Sequence, residues 1–396
     1  MKPSSRGMAK VLWCLAMLAL AAGWLTTVNP GIAGLDARYY FTAADLVGSG
    51  QNPYLSGDYL YPSFAAWLLG LARANLSPDV VTIGFNALIA SSILMLAAGM
   101  IILAGLHPWS RRAPGVAGSY YWLGLATTAI FLFSGVTETV MNLGNISPII
   151  GALCVWAGIL YVRNRPLGAA TLVALATVLK LVPAPLLAYM FMRGLRRRDR
   201  SMIAASVIGA LLVLAGILVP PFANEFMHSA GGATKWGIDI GGACVSVHVW
   251  LARAFDNGFV NHPDIAFIVF AAATATAALY GWFSRAPTAT TWLTVMLVAN
   301  VASPKNCPHL FMAMTFGLFV LFARHMADLA ATHVERAAVL VRLIPAIGLP
   351  LLAASSEFFY FRGHPVGTLV LPLIPPLAGV VIALELNSNR PAPTLD

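Results

Sequence analysis

Charged residues are scarce in this sequence. Only 10% of its 396 residues are Asp, Glu, Lys or Arg, whereas 59% are hydrophobic. An average soluble domain carries about 25% charged residues, so a chain with this composition cannot cover its surface against water. The sequence therefore predicts an all-α integral membrane protein. It lacks a long polar stretch that would form a second, soluble domain, and we treat residues 1–396 as a single membrane domain.

Motifs for metal and nucleotide binding are also missing. The sequence has no Gly-rich phosphate loop, no HExxH pair and no EF-hand loop, and we expect no metal site. The four cysteines, at positions 14, 154, 244 and 307, form no CxxC pair and no zinc spacing. Cys14 and Cys154 lie in apolar runs and are expected to be packed thiols, whereas a disulfide between Cys244 and Cys307 is left open.

The net charge of +9 does not indicate a nucleic-acid partner. The basic residues form short clusters between apolar runs, as they do in the cytoplasmic loops of membrane proteins. Lys2, Arg6 and Lys10 place the N-terminus in the cytoplasm. The apolar run that follows is longer than the usual core of a signal peptide, and no clear A-x-A site closes it. We therefore expect a retained first helix.

Apolar runs of membrane-spanning length occupy most of the chain. A spanning helix needs about 20 apolar residues. Candidates lie near 11–28, 79–105, 118–136, 143–162, 201–221, 264–284, 288–302, 307–323, 337–355 and 366–387. With the additional elements described below, this predicts a bundle of about 10–12 transmembrane helices. The positions of the arginines leave the segments 29–78, 222–263 and 356–365 on the outer side.

Residues 166–192 are predicted to form a broken membrane hairpin. Arginines flank both of its ends, so the segment must enter the membrane and return on the same side. Each arm would be about 20 Å long, which is shorter than the hydrocarbon core of roughly 30 Å. Lys180 and Pro183 fall at the expected turn, where a proline breaks a helix.

The first outer segment, 29–78, is too long for a simple connection. Apolar residues recur at helical spacing from Asp36 to Val47, and Gly48 and Gly50 end that run. Residues 61–75 give a similar pattern. Both stretches are predicted to be helices that lie at the outer membrane interface.

Two carboxylates of this segment are candidates for chemistry. Asp36 is either a general base held in a cleft or the N-cap of the helix that follows it. Asp58 lies among aromatic residues just before Tyr61-Pro62. It either positions a sugar together with the tyrosine rings or forms a surface cap or ion pair.

Three further sets of polar residues lie in or near the predicted membrane segments. A lysine costs about 2.5–3.5 kcal/mol at the centre of a membrane helix. Lys180 therefore requires a phosphate or a buried carboxylate as a partner, or a membrane interface that its side chain can reach. Glu138, Asn142 and Asn145 form a polar patch that is expected to open a membrane helix, where it either lines an outer cavity or bonds between helices. In the turn that contains Lys305 and His309, the histidine either binds a phosphate, carries a proton or is a hydrogen-bonded structural group.

Five strings carry a resemblance to a known family. In chain order they are LDARYYFTAADLVGSGQNPY, DYLYPSFAAWLL, the region of Asn145, ALATVLKLVPAPLLAYMF followed by arginines, and ASPKNCPHLFM. Together they resemble glycosyltransferase family 87 of the C-type superfamily, which are bacterial polytopic enzymes that use polyprenyl-phosphate sugars. The family often has Gly-Gln where this chain has Gly144-Asn145, and Tyr-Pro-Pro where it has Tyr61-Pro62-Ser63. A tryptophan and a second histidine usual around the Ser-Pro…His motif are absent.

The resemblance implies roles for particular residues. Asp36 corresponds to the acidic residue that acts as general base, and His309 to a histidine near the donor phosphate. Lys180 and Pro183 match a Lys-x-x-Pro segment, and we place Lys180 with His309 at the phosphate. Substrate contacts are expected from Arg38, Tyr40, Asp58, Tyr61, Asn145 and Lys305.

The resemblance also implies the reaction and its place. We expect a multi-pass protein of the bacterial inner membrane whose active site faces outward and whose partners are the lipid bilayer, the donor and a glycolipid or glycan acceptor. The polyprenyl-phosphate sugar is a substrate, and no cofactor is needed. Mannose is the expected sugar, with arabinofuranose as the alternative. A non-enzymatic lipid or sugar transporter is the rival class, against which stand the long tyrosine-rich first segment and the missing internal repeat.

Overall fold

The computed structural model describes residues 5–28, 34–55, 59, 61–106, 117–133, 135–229, 263–284 and 289–301. Within these ranges the regular structure is entirely helical. In chain order the helices are α1 (Ser5–Leu25), α2 (Leu35–Gly48), α3 (Ser63–Asn75), α4 (Pro78–Ala104), α5 (Ala117–Leu132), α6 (Gly135–Leu143), α7 (Ser147–Val162), α8 (Pro166–Leu179), α9 (Ala184–Arg197), α10 (Arg200–Leu218), α11 (Ala223–Ser229), α12 (Pro263–Phe283) and α13 (Ala289–Val301). The predicted spans at 307–323, 337–355 and 366–387 lie outside the described residues.

Three of the described helices are long and apolar enough to cross a bilayer. They contain Gly7–Leu25, Pro78–Ala104 and Arg200–Leu218, of 19, 27 and 19 residues. Four shorter apolar helical segments accompany them: Leu123–Leu132, Ser147–Val162, Pro166–Leu179 and Ile268–Phe283. Large apolar side chains along α1 and α10 are exposed, which is stable only where lipid covers them. The prediction of an all-α integral membrane protein is thus confirmed.

Helix α7 packs between α4 and α8, and α8 in turn packs against α10. Glycines permit close approach in this core. A Cβ at Gly158 would lie 2.6 Å from the Trp292 ring, and one at Gly99 would lie 2.8 Å from the side chain of Val155. The Trp292 indole N–H donates to the carbonyl of Cys154 at 2.9 Å. Small residues that bring helix backbones together are the usual packing device of membrane bundles.

Helices α2 and α3 form a pair. A Cβ at Gly70 of α3 would lie 3.0 Å from the carbonyl oxygen of Ala44 in α2, so the two backbones are nearly in contact. The guanidinium of Arg73 donates to both carboxylate oxygens of Asp45, at 2.6 and 2.9 Å. These helices occupy the two stretches predicted in the first outer segment, although α3 begins at Ser63 because Tyr61 and Pro62 belong to the preceding connection.

Helices α8 and α9 are separated by a short break. Lys180 has extended backbone, with φ −159° and ψ 124°, and Pro183 precedes the first residue of α9. Each helix has 14 residues, which is about 21 Å at 1.5 Å per residue. The irregular backbone from Lys180 to Pro183 coincides with the turn expected for 166–192, and the depth of that turn in the membrane stays a prediction.

The helix predicted near 143–162 is present, but it begins later than that range. Gly144 has φ +67°, and its N–H donates to the carbonyls of Val140 and Met141, which ends α6 at Leu143. Such a left-handed residue after the last helical turn is a common helix stop. Helix α7 starts only at Ser147. The patch of Glu138 and Asn142 therefore lies on a separate nine-residue helix and does not open α7.

Candidate active site

Asp36 lies in the first turn of α2 and is half-buried. Its Oδ2 accepts a hydrogen bond of 2.5 Å from the Nδ2 amide of Asn145, a residue 109 positions later in the chain. Among the described residues, the other carboxylate oxygen of Asp36 accepts no hydrogen bond. The cap of α2 is Gly34, which has no side chain, so the carboxylate of Asp36 is available to a partner outside its own helix.

Two glycines bring Asp36 and Asn145 together. A Cβ at Gly34 would overlap with the carbonyl oxygen of Asn142, so the chain before α2 touches the backbone at the end of α6. On the other side of the contact, a Cβ at Gly144 would lie 2.6 Å from the Cβ of Ala37. No larger residue fits at either position. The start of α2 is consequently seated on the turn between α6 and α7, which carries Asn145.

The amide of Asn145 is itself held in place. Its side-chain oxygen accepts a hydrogen bond of 2.8 Å from the backbone N–H of Ser147 and a second from the Ser147 hydroxyl. Asn145 and Ser147 are only 3% and 2% exposed. Because the oxygen faces Ser147, the amino group must face Asp36.

A tyrosine pair adjoins the carboxylate. The rings of Tyr40 and Tyr61 lie 5.2 Å apart, and Tyr40 is buried one helical turn after Asp36. Burial raises the pKa of the Tyr40 hydroxyl well above its usual value, and the neighbouring Tyr61 and Asp36 raise it further. Tyr40 therefore remains protonated and serves as a neutral hydroxyl rather than as a base.

Two further tyrosines position Tyr61. The Tyr54 hydroxyl donates to the backbone carbonyl of Tyr61, and the Tyr59 hydroxyl donates to that of Pro62, both at 2.9 Å. The Tyr59 ring also meets those of Tyr54 and Tyr61 at 5.7 and 5.8 Å. Tyr54 and Tyr59 are not among the nine site residues predicted from sequence. The high density of tyrosines in this stretch is the sequence feature that could have indicated these contacts, because a buried tyrosine usually finds an acceptor for its hydroxyl.

Lys180 contacts the second ring of the tyrosine pair. Its ammonium lies 5.6 Å from the centroid of the Tyr61 ring, which is a cation–π distance. The side chain is half-buried, and its backbone is the extended residue that ends α8. The site thus combines a carboxylate next to Tyr40 and a cation next to Tyr61, and these two rings are themselves neighbours.

The structure brings together five of the nine residues predicted from sequence: Asp36, Tyr40, Tyr61, Asn145 and Lys180. Arg38 lies on α2 with an exposed side chain and makes no described contact to these five. Asp58, Lys305 and His309 lie outside the described residues, and their roles stay predictions. Within the described part of the chain, no group of three His, Cys, Asp or Glu residues is placed to hold a metal ion.

Fold and site together define a polytopic membrane protein with a carboxylate and a cation next to the same pair of tyrosine rings. The family model of glycosyltransferase family 87 matches residues 59–304, which is more than half of the chain. The chain belongs to glycosyltransferase family 87, and it is a membrane glycosyltransferase. The matched stretch includes Tyr61, Asn145 and Lys180, whereas Asp36 lies before it. Comparison with curated proteins finds no individual match.

Proposed function

We propose that this glycosyltransferase moves a sugar from a polyprenyl phosphate to a hydroxyl of a glycolipid or glycan, with Asp36 as general base. The observation that carries the proposal is the arrangement around the Tyr40–Tyr61 pair. Asn145 holds the carboxylate of Asp36 one helical turn before Tyr40, and the ammonium of Lys180 lies 5.6 Å from the centre of the Tyr61 ring. A carboxylate and a cation that adjoin the same pair of tyrosine rings suit transfer between a neutral acceptor and an anionic leaving group.

The reaction is a single displacement at the anomeric carbon. The oxygen of the acceptor hydroxyl forms a bond to that carbon, while its proton passes to the carboxylate of Asp36. The bond between the anomeric carbon and the phosphate oxygen breaks, and the polyprenyl phosphate leaves with the bonding electrons. Attack and departure on opposite faces invert the configuration. The products are the glycosylated acceptor, the polyprenyl phosphate and a proton held on Asp36.

The leaving phosphate requires positive charge. Lys180 supplies it from the break between α8 and α9, and a preorganised cation at the point where charge develops lowers the barrier. We place His309 beside the same phosphate. The leaving group is already a stabilised anion, so the proposed reaction uses no cofactor. Arg38, Asp58 and Lys305 complete the proposed substrate contacts.

Mannose is the sugar we propose, and arabinofuranose is the alternative. Both are consistent with membership of family 87, and the half-buried ring of Tyr61 would stack on either sugar. Polyprenyl-phosphate donors enter this site from the surrounding lipid. We place this site on the outer face of a bacterial inner membrane.

The Asp36→Asn variant tests the general base. Purified full-length protein is incubated with polyprenyl-phosphate mannose or polyprenyl-phosphate arabinofuranose and candidate glycolipid acceptors, and mass spectrometry identifies a product heavier by one hexose or one pentose. We expect Asp36→Asn to reduce the transfer rate by about 100-fold or more, since general-base catalysis contributes about 10²–10⁴-fold. Binding of the donor is expected to persist.

Asp45→Asn is the matched control. It makes the same chemical change at the other end of α2, where Asp45 is exposed and pairs with Arg73. An exposed ion pair of this kind contributes only about 0.2–1 kcal/mol, so we expect near wild-type transfer. Unchanged transfer in Asp36→Asn would contradict the assignment of the base. Movement of intact donor across the membrane without a glycosylated product would favour the transporter class instead.

A further inference from the structure

We infer that Asn145 is a positioning residue: its amide, locked by Ser147, holds Oδ2 of Asp36 and leaves Oδ1 to receive the acceptor's proton. This inference rests on the proposed function and changes the role of Asn145 from a substrate contact to a partner of the base. It follows from the hydrogen bonds that join these three side chains.

The orientation of the amide is determined by its neighbours. The oxygen of Asn145 meets the backbone N–H and the hydroxyl of Ser147, both of which donate. If the amide were turned over, its amino group would face the N–H of Ser147, and its oxygen would face the carboxylate of Asp36. Both contacts would be repulsive, so the network fixes which atom donates to Asp36.

The backbone around Asn145 is equally constrained. Gly144 has φ +67° and touches Ala37 on α2, and the N–H of Asn145 donates to the carbonyl of Val140 at 3.2 Å. Ser147 is the first residue of α7, and its N–H lacks a partner within the helix, so the Asn145 oxygen satisfies it. The amide is therefore anchored by the end of one helix and the start of the next.

A donor that is fixed on one carboxylate oxygen has two effects on a base. It prevents rotation of the Asp36 side chain, and it keeps the second oxygen directed to where an acceptor hydroxyl arrives. A hydrogen bond to a charged group is roughly twice as strong as one between neutral groups, so its loss is measurable. Positioning of this kind acts mainly on the chemical step and hardly on the affinity for the donor.

The experiment compares substitutions at positions 145 and 147 in the purified full-length protein. Asn145→Ala removes the donor, and we expect kcat to fall about 10- to 100-fold, with the KM for the polyprenyl-phosphate sugar changed less than about 3-fold. Asn145→Gln keeps an amide on a longer side chain, and we expect it to recover part of the activity. Ser147→Ala removes one of the two anchors, and we expect a loss of about 2- to 10-fold.

Asn145→Asp adds a measurement, the pH dependence of kcat/KM, that would not change if Asn145 had a purely structural role. Two carboxylates at hydrogen-bond distance oppose each other's ionisation, so the acidic limb of the kcat/KM profile is expected to shift to higher pH. The controls are Asn75→Ala and Asn75→Asp, which make the same changes at an exposed asparagine near the end of α3. Neither control is expected to alter kcat or the pH profile.

The outcomes separate this inference from the proposed function. If the wild type transfers a sugar and Asp36→Asn does not, while Asn145→Ala keeps both kcat and the pH profile of the wild type, the positioning role is wrong and the general base stands. A rise in donor KM without a fall in kcat would return Asn145 to direct substrate binding. Retained transfer in Asp36→Asn would overturn the proposed function itself.

Discussion

Lys180 brings a positive charge next to an aromatic ring in a largely apolar part of the chain. A lysine costs about 2.5–3.5 kcal/mol at the centre of a membrane helix. A cation–π contact with Tyr61 offsets about 0.5–2 kcal/mol of such a cost, depending on how far the contact is desolvated. The phosphate of an anionic ligand would add a charge-assisted contact, which is roughly twice as strong as a hydrogen bond between neutral groups. The residue thus has a physical reason to bind the phosphate of a lipid-linked donor.

We therefore predict that Lys180→Met raises the KM for the polyprenyl-phosphate sugar about 10- to 100-fold, because it removes a charge-assisted contact to phosphate. Lys180→Arg is expected to retain more affinity, since it keeps the charge with a different geometry. Initial rates measured at varied donor concentration test this. Lys10→Met, the same change in α1, is the control and should leave KM unaltered. Equal KM values in Lys180→Met and the wild type would remove Lys180 from the donor site.

At the scale of single helices, apolar runs predicted much of the fold. The spans expected at 79–105, 201–221 and 264–284 agree with α4, α10 and α12 to within three residues, because a hydrophobic run of that length has few alternatives to a membrane helix. The pair α2 and α3 followed from helical spacing. Helix α6 was missed as a separate element, since its nine residues mix polar and apolar side chains.

The contacts of the site were harder to predict than its residues. Asp36 and Asn145 were both candidates, yet their hydrogen bond joins positions 109 apart and depends on how two glycines seat α2 on the α6–α7 turn. Sequence periodicity describes one helix at a time and carries no information on such a contact. The support of Tyr61 by Tyr54 and Tyr59 was not foreseen for the same reason.

The α6–α7 turn therefore offers a test of how the helices position the base. We predict that Gly144→Ala destabilises the protein by roughly 2 kcal/mol or more, because a non-glycine residue at positive φ and a crowded Cβ each cost about 1 kcal/mol or more. The new Cβ would lie 2.6 Å from that of Ala37, so α2 must move and carry Asp36 away from Asn145. Transfer activity should fall further than the stability loss alone explains. Thermal unfolding in detergent and the transfer rate measure the two effects.

Gly50→Ala is the control for that experiment. Gly50 also has positive φ, +72°, but a Cβ there would meet nothing within 4 Å. This variant has the free-energy cost of a non-glycine residue at positive φ, but it does not displace α2. We therefore expect a smaller loss of stability and a normal rate of sugar transfer. If Gly144→Ala behaved like Gly50→Ala, the close seating of α2 on the turn would not control the position of Asp36.

For the whole molecule, the decisive property is the side of the membrane on which α2 lies. Helix α1 has 21 residues, about 31 Å in length, and is long enough to cross the bilayer once. Lys10 near its start and the arginines at the end of α9 follow the pattern of cytoplasmic segments. Helix α2 begins ten residues after α1 ends, and it is expected on the opposite side from both.

Cysteine accessibility in intact cells tests this arrangement. In a variant without the native cysteines, we predict that Thr42→Cys, exposed on α2, reacts with a membrane-impermeant maleimide from outside, whereas Arg198→Cys, exposed after α9, reacts only once the membrane is opened. The chemistry requires that result, because Asp36 and the sugar-bearing phosphate must meet in one compartment. Labelling of Thr42→Cys only from the cytoplasmic side would place the base away from the outer leaflet. The lipid-linked donor for sugar transfer would then have to come from the inner leaflet.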